Sequence, residues 1–141
     1  MAVRVLWVIK GLGPGGAERL LVAAATAHSH SDVALSCAYV LPWKDHLAED
    51  LAGAGVKVVC LSAKRRDLKW PLRLAGLVRS GEYDVVHVHS PLPGSVARLA
   101  ALTMGRRSRP ALVATEHNRW RTHRLPTRLL NRVTSRWNDA T

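Results

Sequence analysis

The chain predicts an α/β fold, a parallel sheet with helices on both faces, and three observations point to it. Short apolar runs rich in β-branched residues alternate with segments of helical period along nearly the whole length. A glycine-rich run, Lys10-Gly11-Leu12-Gly13-Pro14-Gly15-Gly16-Ala17-Glu18-Arg19, lies between the first strand pattern and the first helix pattern. Polar clusters recur where the strand patterns end, at His87-Val88-His89-Ser90 and Thr115-Glu116-His117-Asn118. In a parallel sheet those ends share one edge, which is where such folds bind ligands.

The elements follow in order. Val3 to Ile9 reads as a buried strand, and Gly16 to His28 as a helix with Ala17, Leu20, Leu21, Ala24, Ala25 and His28 on one face. Val33 to Leu41 is a second strand, stopped by Pro42. His46 to Ala54 is a short helix closed by Gly55, and Val56 to Leu61 a third strand. A basic connector, Lys64-Arg65-Arg66-Asp67-Leu68-Lys69, leads to Pro71, which suits the first turn of a helix running to about Ser80, with Gly81 as its stop. Asp84 to Ser90 is a strand, Gly94 to Met104 a helix, Ala111 to Glu116 a strand and Pro126 to Trp137 a final helix. Asp139-Ala140-Thr141 reads as the start of a sixth strand. There is no internal repeat and no low-complexity linker.

Composition narrows the class. A chain of 141 residues, 48% apolar, fits one globular domain, residues 1–141. Cys37 and Cys60 both fall in strand-like runs, which predicts buried, reduced thiols and a cytoplasmic setting; no Cys/His spacing suggests zinc. The run Val5 to Ile9 is too short for a secretory signal, and nothing approaches the roughly 20 apolar residues of a membrane span. Net charge is +11, and residues 105–141 hold nine arginines against Glu116 and Asp139. That tail attracts polyanions, whether lipid headgroups or phosphorylated substrates. No nucleic-acid-binding module is recognised, so nucleic acid is not an expected partner.

The glycine run carries the first chemistry. Its amides and the helix start behind it face one point, where a diphosphate can dock. Gly11, Gly13 and Gly16 match the G-x-G-x-x-G fingerprint of dinucleotide-binding domains, but that fingerprint also wants an acid about 20 residues on to hold the ribose. Here the region reads Ser36-Cys37-Ala38-Tyr39-Val40-Leu41, without one. A fragment of a dinucleotide-dependent oxidoreductase therefore stays open as an alternative, as does a turn serving only tight packing. His87 and His89 share a strand face, a spacing that can hold a metal, but no third ligand accompanies them and no metal is expected.

Gly15-Gly16-Ala17-Glu18-Arg19 opening the first helix, Asp84-Val85-Val86-His87-Val88-His89-Ser90, and Val113-Ala114-Thr115-Glu116-His117-Asn118 resemble, in order and spacing, the N-terminal domain of family 4 glycosyltransferases of the GT-B fold. The resemblance covers essentially the whole chain and implies a Rossmann-like, acceptor-side domain. It implies that the Gly15 and Gly16 amides approach the diphosphate of a nucleotide-sugar, and that His117 lines the transfer site, positioning a sugar hydroxyl while the leaving phosphate takes the acceptor proton. His89, Ser90, Glu116 and Asn118 then belong to the substrate pocket, although Glu116, flanked by so many arginines, is better suited to pairing with one than to acting as a base. It implies retaining, metal-independent transfer to a saccharide or lipid-linked acceptor, and no bound cofactor.

Family members also carry a donor-binding domain with a Glu-x7-Glu motif, which is not in this sequence. That predicts either part of a longer enzyme or a subunit, catalytic or not, that works with a second polypeptide. Arg124, Arg128, Arg132 and Arg136 recur every fourth residue, a spacing at which like charges repel unless something negative faces them. Docking on an anionic membrane at its cytoplasmic face, or on a polyprenyl diphosphate, would supply that charge. Leu129, Val133 and Trp137 are expected to form the opposite, core-facing stripe.

Overall fold

The run Val3–Ile9 forms β1 and lies at the centre of the sheet, which is why its second half is almost wholly apolar and buried. The computed structural model describes residues 1–28, 32–115 and 125–140. Around β1 are α1 (Gly16–His28), β2 (Val33–Tyr39), α2 (Ala48–Gly53), β3 (Lys57–Cys60), α3 (Trp70–Arg79), β4 (Val85–Val88), α4 (Pro91–Leu102), β5 (Ala111–Ala114) and α5 (Leu125–Thr134), with a 3₁₀ turn at Ser135–Trp137. The five strands are parallel in the order β3-β2-β1-β4-β5. The strand order reverses between β1 and β4. Trp7 pairs with His87 there, and His87 with Val113 beyond it.

Alternating side chains divide the core into two layers. Leu6, Val8, Ala38, Val86, Val88, Leu112 and Ala114 face α3 and α4, meeting Leu74, Val78, Ala97 and Ala101. Trp7, Ile9, Cys37 and Tyr39 face the other way, against Leu21 and Ala25 of α1 and Leu51 of α2. Helices thus cover both faces, as the alternation predicts. α4 lies between α3 and α5. Charge follows the layers: α1 and α2 hold Glu18, Glu49 and Asp50, whereas α3, α4 and α5 contain no acidic residue.

Element ends depart from the sequence reading for local reasons. β2 stops at Tyr39 because the Val40 and Leu41 amides turn to donate to the Lys10 carbonyl, at 3.2 and 2.9 Å. α4 begins at Pro91 rather than Gly94: Pro91 and Pro93 sit in the first turn, whose N–H groups have no intrahelical acceptor to lose. Gly55 and Gly81 adopt φ of +84° and +75°, closing α2 and α3 where a side chain would be strained. Ala140 makes one parallel bridge with Val113, beside β5, as the sixth-strand reading expects.

Two readings are corrected. Cys37 is buried, and burial pushes its thiol pKa up to about 12, but Cys60 is exposed at the end of the edge strand β3. Two of the three residues expected in the core stripe of the last helix face outward, Leu129 at 65% and Val133 at 45% exposed, while Trp137 is half-buried in the turn after α5. Asn131 and Thr134 are buried instead.

The cause is Arg98 of α4, only 2% exposed. A buried guanidinium must be hydrogen-bonded, and it donates to Asn131 Oδ1 at 2.6 Å, Thr134 Oγ1 at 3.2 Å and Asn138 Oδ1 at 2.7 Å. The polar face of α5 therefore turns inward, and Leu125 and Leu129 turn out.

Candidate functional site

The carboxyl edge at the reversal between β1 and β4 gathers the glycine loop, the end of β4 and the end of β5. α1 starts directly after the loop and α4 directly after Ser90, but only α1 offers a run of N–H groups: in the first turn of α4, Pro91 and Pro93 have none and the Gly94 amide donates to the Ser90 carbonyl at 2.9 Å. The strand ends are stitched together. The His89 amide donates to the Val8 carbonyl at 2.8 Å and the Thr115 amide to the Val88 carbonyl at 2.9 Å. The Lys10 amide donates to Ser90 Oγ at 2.9 Å, so Ser90 is joined to the loop rather than capping its own helix.

The glycines divide by role. A Cβ at Gly11 would stand 2.9 Å from Lys44 Cβ, so Gly11 is small because the segment after β2 packs on it. The Leu12 amide donates to the Lys44 carbonyl at 2.6 Å, and the Leu47 amide to the Leu12 carbonyl at 3.1 Å, fastening the two loops. At Gly15 the neighbouring atom is a carboxylate oxygen of Glu18, folded back over the loop. At Gly16 nothing lies within 4 Å. None of the loop glycines has positive φ, so closeness of approach rather than backbone conformation explains the run. The space beside Gly16 is thus open, whereas that beside Gly15 is taken by a negative charge.

On β4, His87 and His89 extend from one strand face with ring centroids 4.1 Å apart, and Trp7 stands edge-on to His89 at 6.3 Å. His87 Nε2 lies 2.8 Å from Thr115 Oγ1, tying the end of β4 to the end of β5. A hydrogen bond at this place had no signal in the sequence beyond the two polar strand ends themselves. Among the described residues no group of three His, Cys, Asp or Glu could hold a metal ion.

The structure thus brings Ser90 to the glycine loop, and His89 and Thr115 to the strands beside it. Glu116, His117, Asn118 and Arg124 lie outside the described residues. Arg128, Arg132 and Arg136 are placed on α5 and the turn after it. Arg128 and Arg132 line a groove of about 510 Å³ together with Leu125 and Leu129. Among the described residues no helix is long and apolar enough to cross a membrane.

No curated protein sequence matches the chain. Among solved structures, Alr3699/HepE of Anabaena, determined in complex with UDP and glucose, is similar in fold. Its TM-score is 0.59 and identity 19%, over 96% of this chain and 35% of that one. The chain spans about a third of that protein's length. The model of Glycosyltransferase Family 4 matches residues 14–141, nearly the full sequence. The chain belongs to Glycosyltransferase Family 4.

Proposed function

We propose that this chain is the acceptor-side domain of a glycosyltransferase that moves a sugar from a nucleotide-sugar to a saccharide or lipid-linked acceptor. The observation that carries the reading is the Lys10–Ser90 tie, which fastens the glycine loop leading into α1 to the end of β4, where the strand order reverses. The start of α1 favours negative charge there, as a diphosphate leaving group requires. The Gly16 amide approaches that diphosphate, and Gly15 joins it once Glu18 swings aside. His117 positions the reacting hydroxyl, and His89, Ser90, Glu116 and Asn118 line the pocket, by resemblance to the family. No metal or cofactor is invoked. The similarity to a protein bound to UDP and glucose favours a nucleoside diphosphate sugar over a nicotinamide.

Donor-side contacts come from a second domain, in the same polypeptide or another. The 141 residues alone should therefore show little or no transfer or donor hydrolysis, measured with uridine and guanosine diphosphate sugars. Adding a donor-domain polypeptide should restore turnover. Robust turnover without it removes the two-domain reading, and tighter binding of nicotinamide than of either diphosphate sugar replaces it with the oxidoreductase.

A second reading concerns where the enzyme works. Leu125 and Leu129 are exposed beside Arg128 and Arg132, with Val133 and Arg136 alongside. Apolar and cationic side chains on one exposed helix face suit an anionic membrane surface, consistent with a peripheral enzyme at the cytoplasmic leaflet. Leu129→Glu should leave the thermal midpoint within about 1 °C, a surface change of well under 1 kcal/mol. It should abolish sedimentation with phosphatidylglycerol vesicles, and undiminished sedimentation would refute the docking face.

A further inference from the structure

We propose that Trp43, Lys44 and Arg65 form a subsite for an anionic saccharide acceptor, one bearing a carboxylate or phosphate group. It rests on the acceptor-side reading and narrows it to a substrate class.

Two loops build the subsite, and both are held rigidly. The loop after β2 is fastened to the glycine run through the Leu12–Lys44, Leu47–Leu12 and Leu41–Lys10 hydrogen bonds, with Lys44 packed where Gly11 lacks a side chain. Trp43 therefore keeps a fixed place relative to the proposed transfer point. The loop between β3 and α3 is organised by Asp67. Its carboxylate accepts from the Ala63 amide at 2.8 Å, the Lys69 amide at 2.9 Å and the Arg73 guanidinium, which also donates to the Leu61 carbonyl. Those bonds hold the Asp67 carboxyl well below the usual carboxylate range. The loop's own carboxylate is thus committed to Arg73, and Lys64, Arg65 and Arg66 are displayed to solvent.

The two loops meet where the Arg65 guanidinium lies over the Trp43 ring, 5.1 Å from its centroid. Trp43 remains 41% exposed, which leaves aromatic surface for the C–H face of a sugar ring. Among the described residues, no ion pair engages Lys44, Lys64, Arg65 or Arg66. Of the two acids adjacent in sequence, Asp67 is committed to Arg73, and exposed Asp45 offsets one of these four charges. Stacking surface beside unneutralised cations recognises a sugar that carries negative charge, and neither feature alone would select one.

The full chain is titrated by calorimetry with trigalacturonate, neutral maltotriose, inorganic phosphate and phosphatidylglycerol vesicles, at fixed ionic strength. Trigalacturonate should bind at least fivefold tighter than maltotriose. Trp43→Ala and Arg65→Ala should each weaken it threefold or more with the thermal midpoint unchanged. Equal affinity for the neutral sugar, no loss in either variant, phosphate binding as tight as trigalacturonate, binding to vesicles alone, or no binding at all would each overturn the subsite. A UDP titration of the same samples reports on the glycine loop separately, so the two readings fail independently.

Discussion

Gly11 and Gly16 look equivalent in the sequence and are opposites in the structure. An added methyl at Gly11 meets Lys44 Cβ, an atom close to the backbone that has little room to yield, and overpacking of this kind costs about 1–3 kcal/mol. An added methyl at Gly16 meets nothing, and alanine suits a helix start better than glycine. Gly11→Ala should therefore lower the urea midpoint, whereas Gly16→Ala should hold or raise it while weakening UDP binding. Loss of stability in Gly16→Ala would make that glycine a packing residue. A fingerprint match records only that side chains are missing. What occupies the vacated space differs: at Gly15 it is the Glu18 carboxylate, three residues on in the same helix turn, and at Gly11 it is Lys44, whose approach depends on long-range packing that spacing does not encode. The polar strand ends were legible as a group, since the ends of parallel strands share an edge. The His87–Thr115 bond was not, because it depends on register.

Helices and strands were read with uneven success, and α5 shows why. Periodicity separated an arginine stripe from a leucine stripe, but it carries no sign: either stripe, or a third, can face the core. Leu129 lies only about 100° round the helix from Arg128, so the two were never opposed. What decides is Arg98, the one charged residue of α4 and thus a readable signal of a polar partner face. Asn131→Leu removes one of its three acceptors and should destabilise the chain by about 1–3 kcal/mol, the cost of leaving a buried charged donor short of a partner. Chemical denaturation measures this; a neutral or stabilising result would mean that the hydrophobic replacement repacks. β1 and α1 were found to the residue because strong apolar and glycine boundaries bracket them. β2 ran short of its apolar pattern because Lys10 takes its last amides.

At the scale of the whole molecule, the parallel sheet covered on both faces was legible from the alternation of strands and helices, whereas the strand order β3-β2-β1-β4-β5 was not, because alternation does not say which strands are neighbours. Stability should also carry a pH signature at this scale. Asp84 bonds the Arg4 guanidinium and the Arg4 amide, joining β1 to the turn before β4, and those bonds hold its carboxyl at about 2. A carboxylate whose pKa is lowered on folding stabilises the native state above its unfolded value, near 4, and that contribution fades as pH falls towards about 2. Wild type and Asp84→Asn should therefore differ in urea midpoint at pH 5 and converge towards pH 2. A constant gap between them would show that the ion pair does not govern the acid limb.

The acid-free layer of α3, α4 and α5 lies across the sheet from the layer that holds Glu18, Glu49 and Asp50, which gives the molecule an electrical polarity as well as a net charge. Near any polyanion such an object experiences torque before it experiences contact, and it arrives already oriented. Its first-encounter rate should fall as added electrolyte shortens the reach of that torque, even if final affinity barely changes.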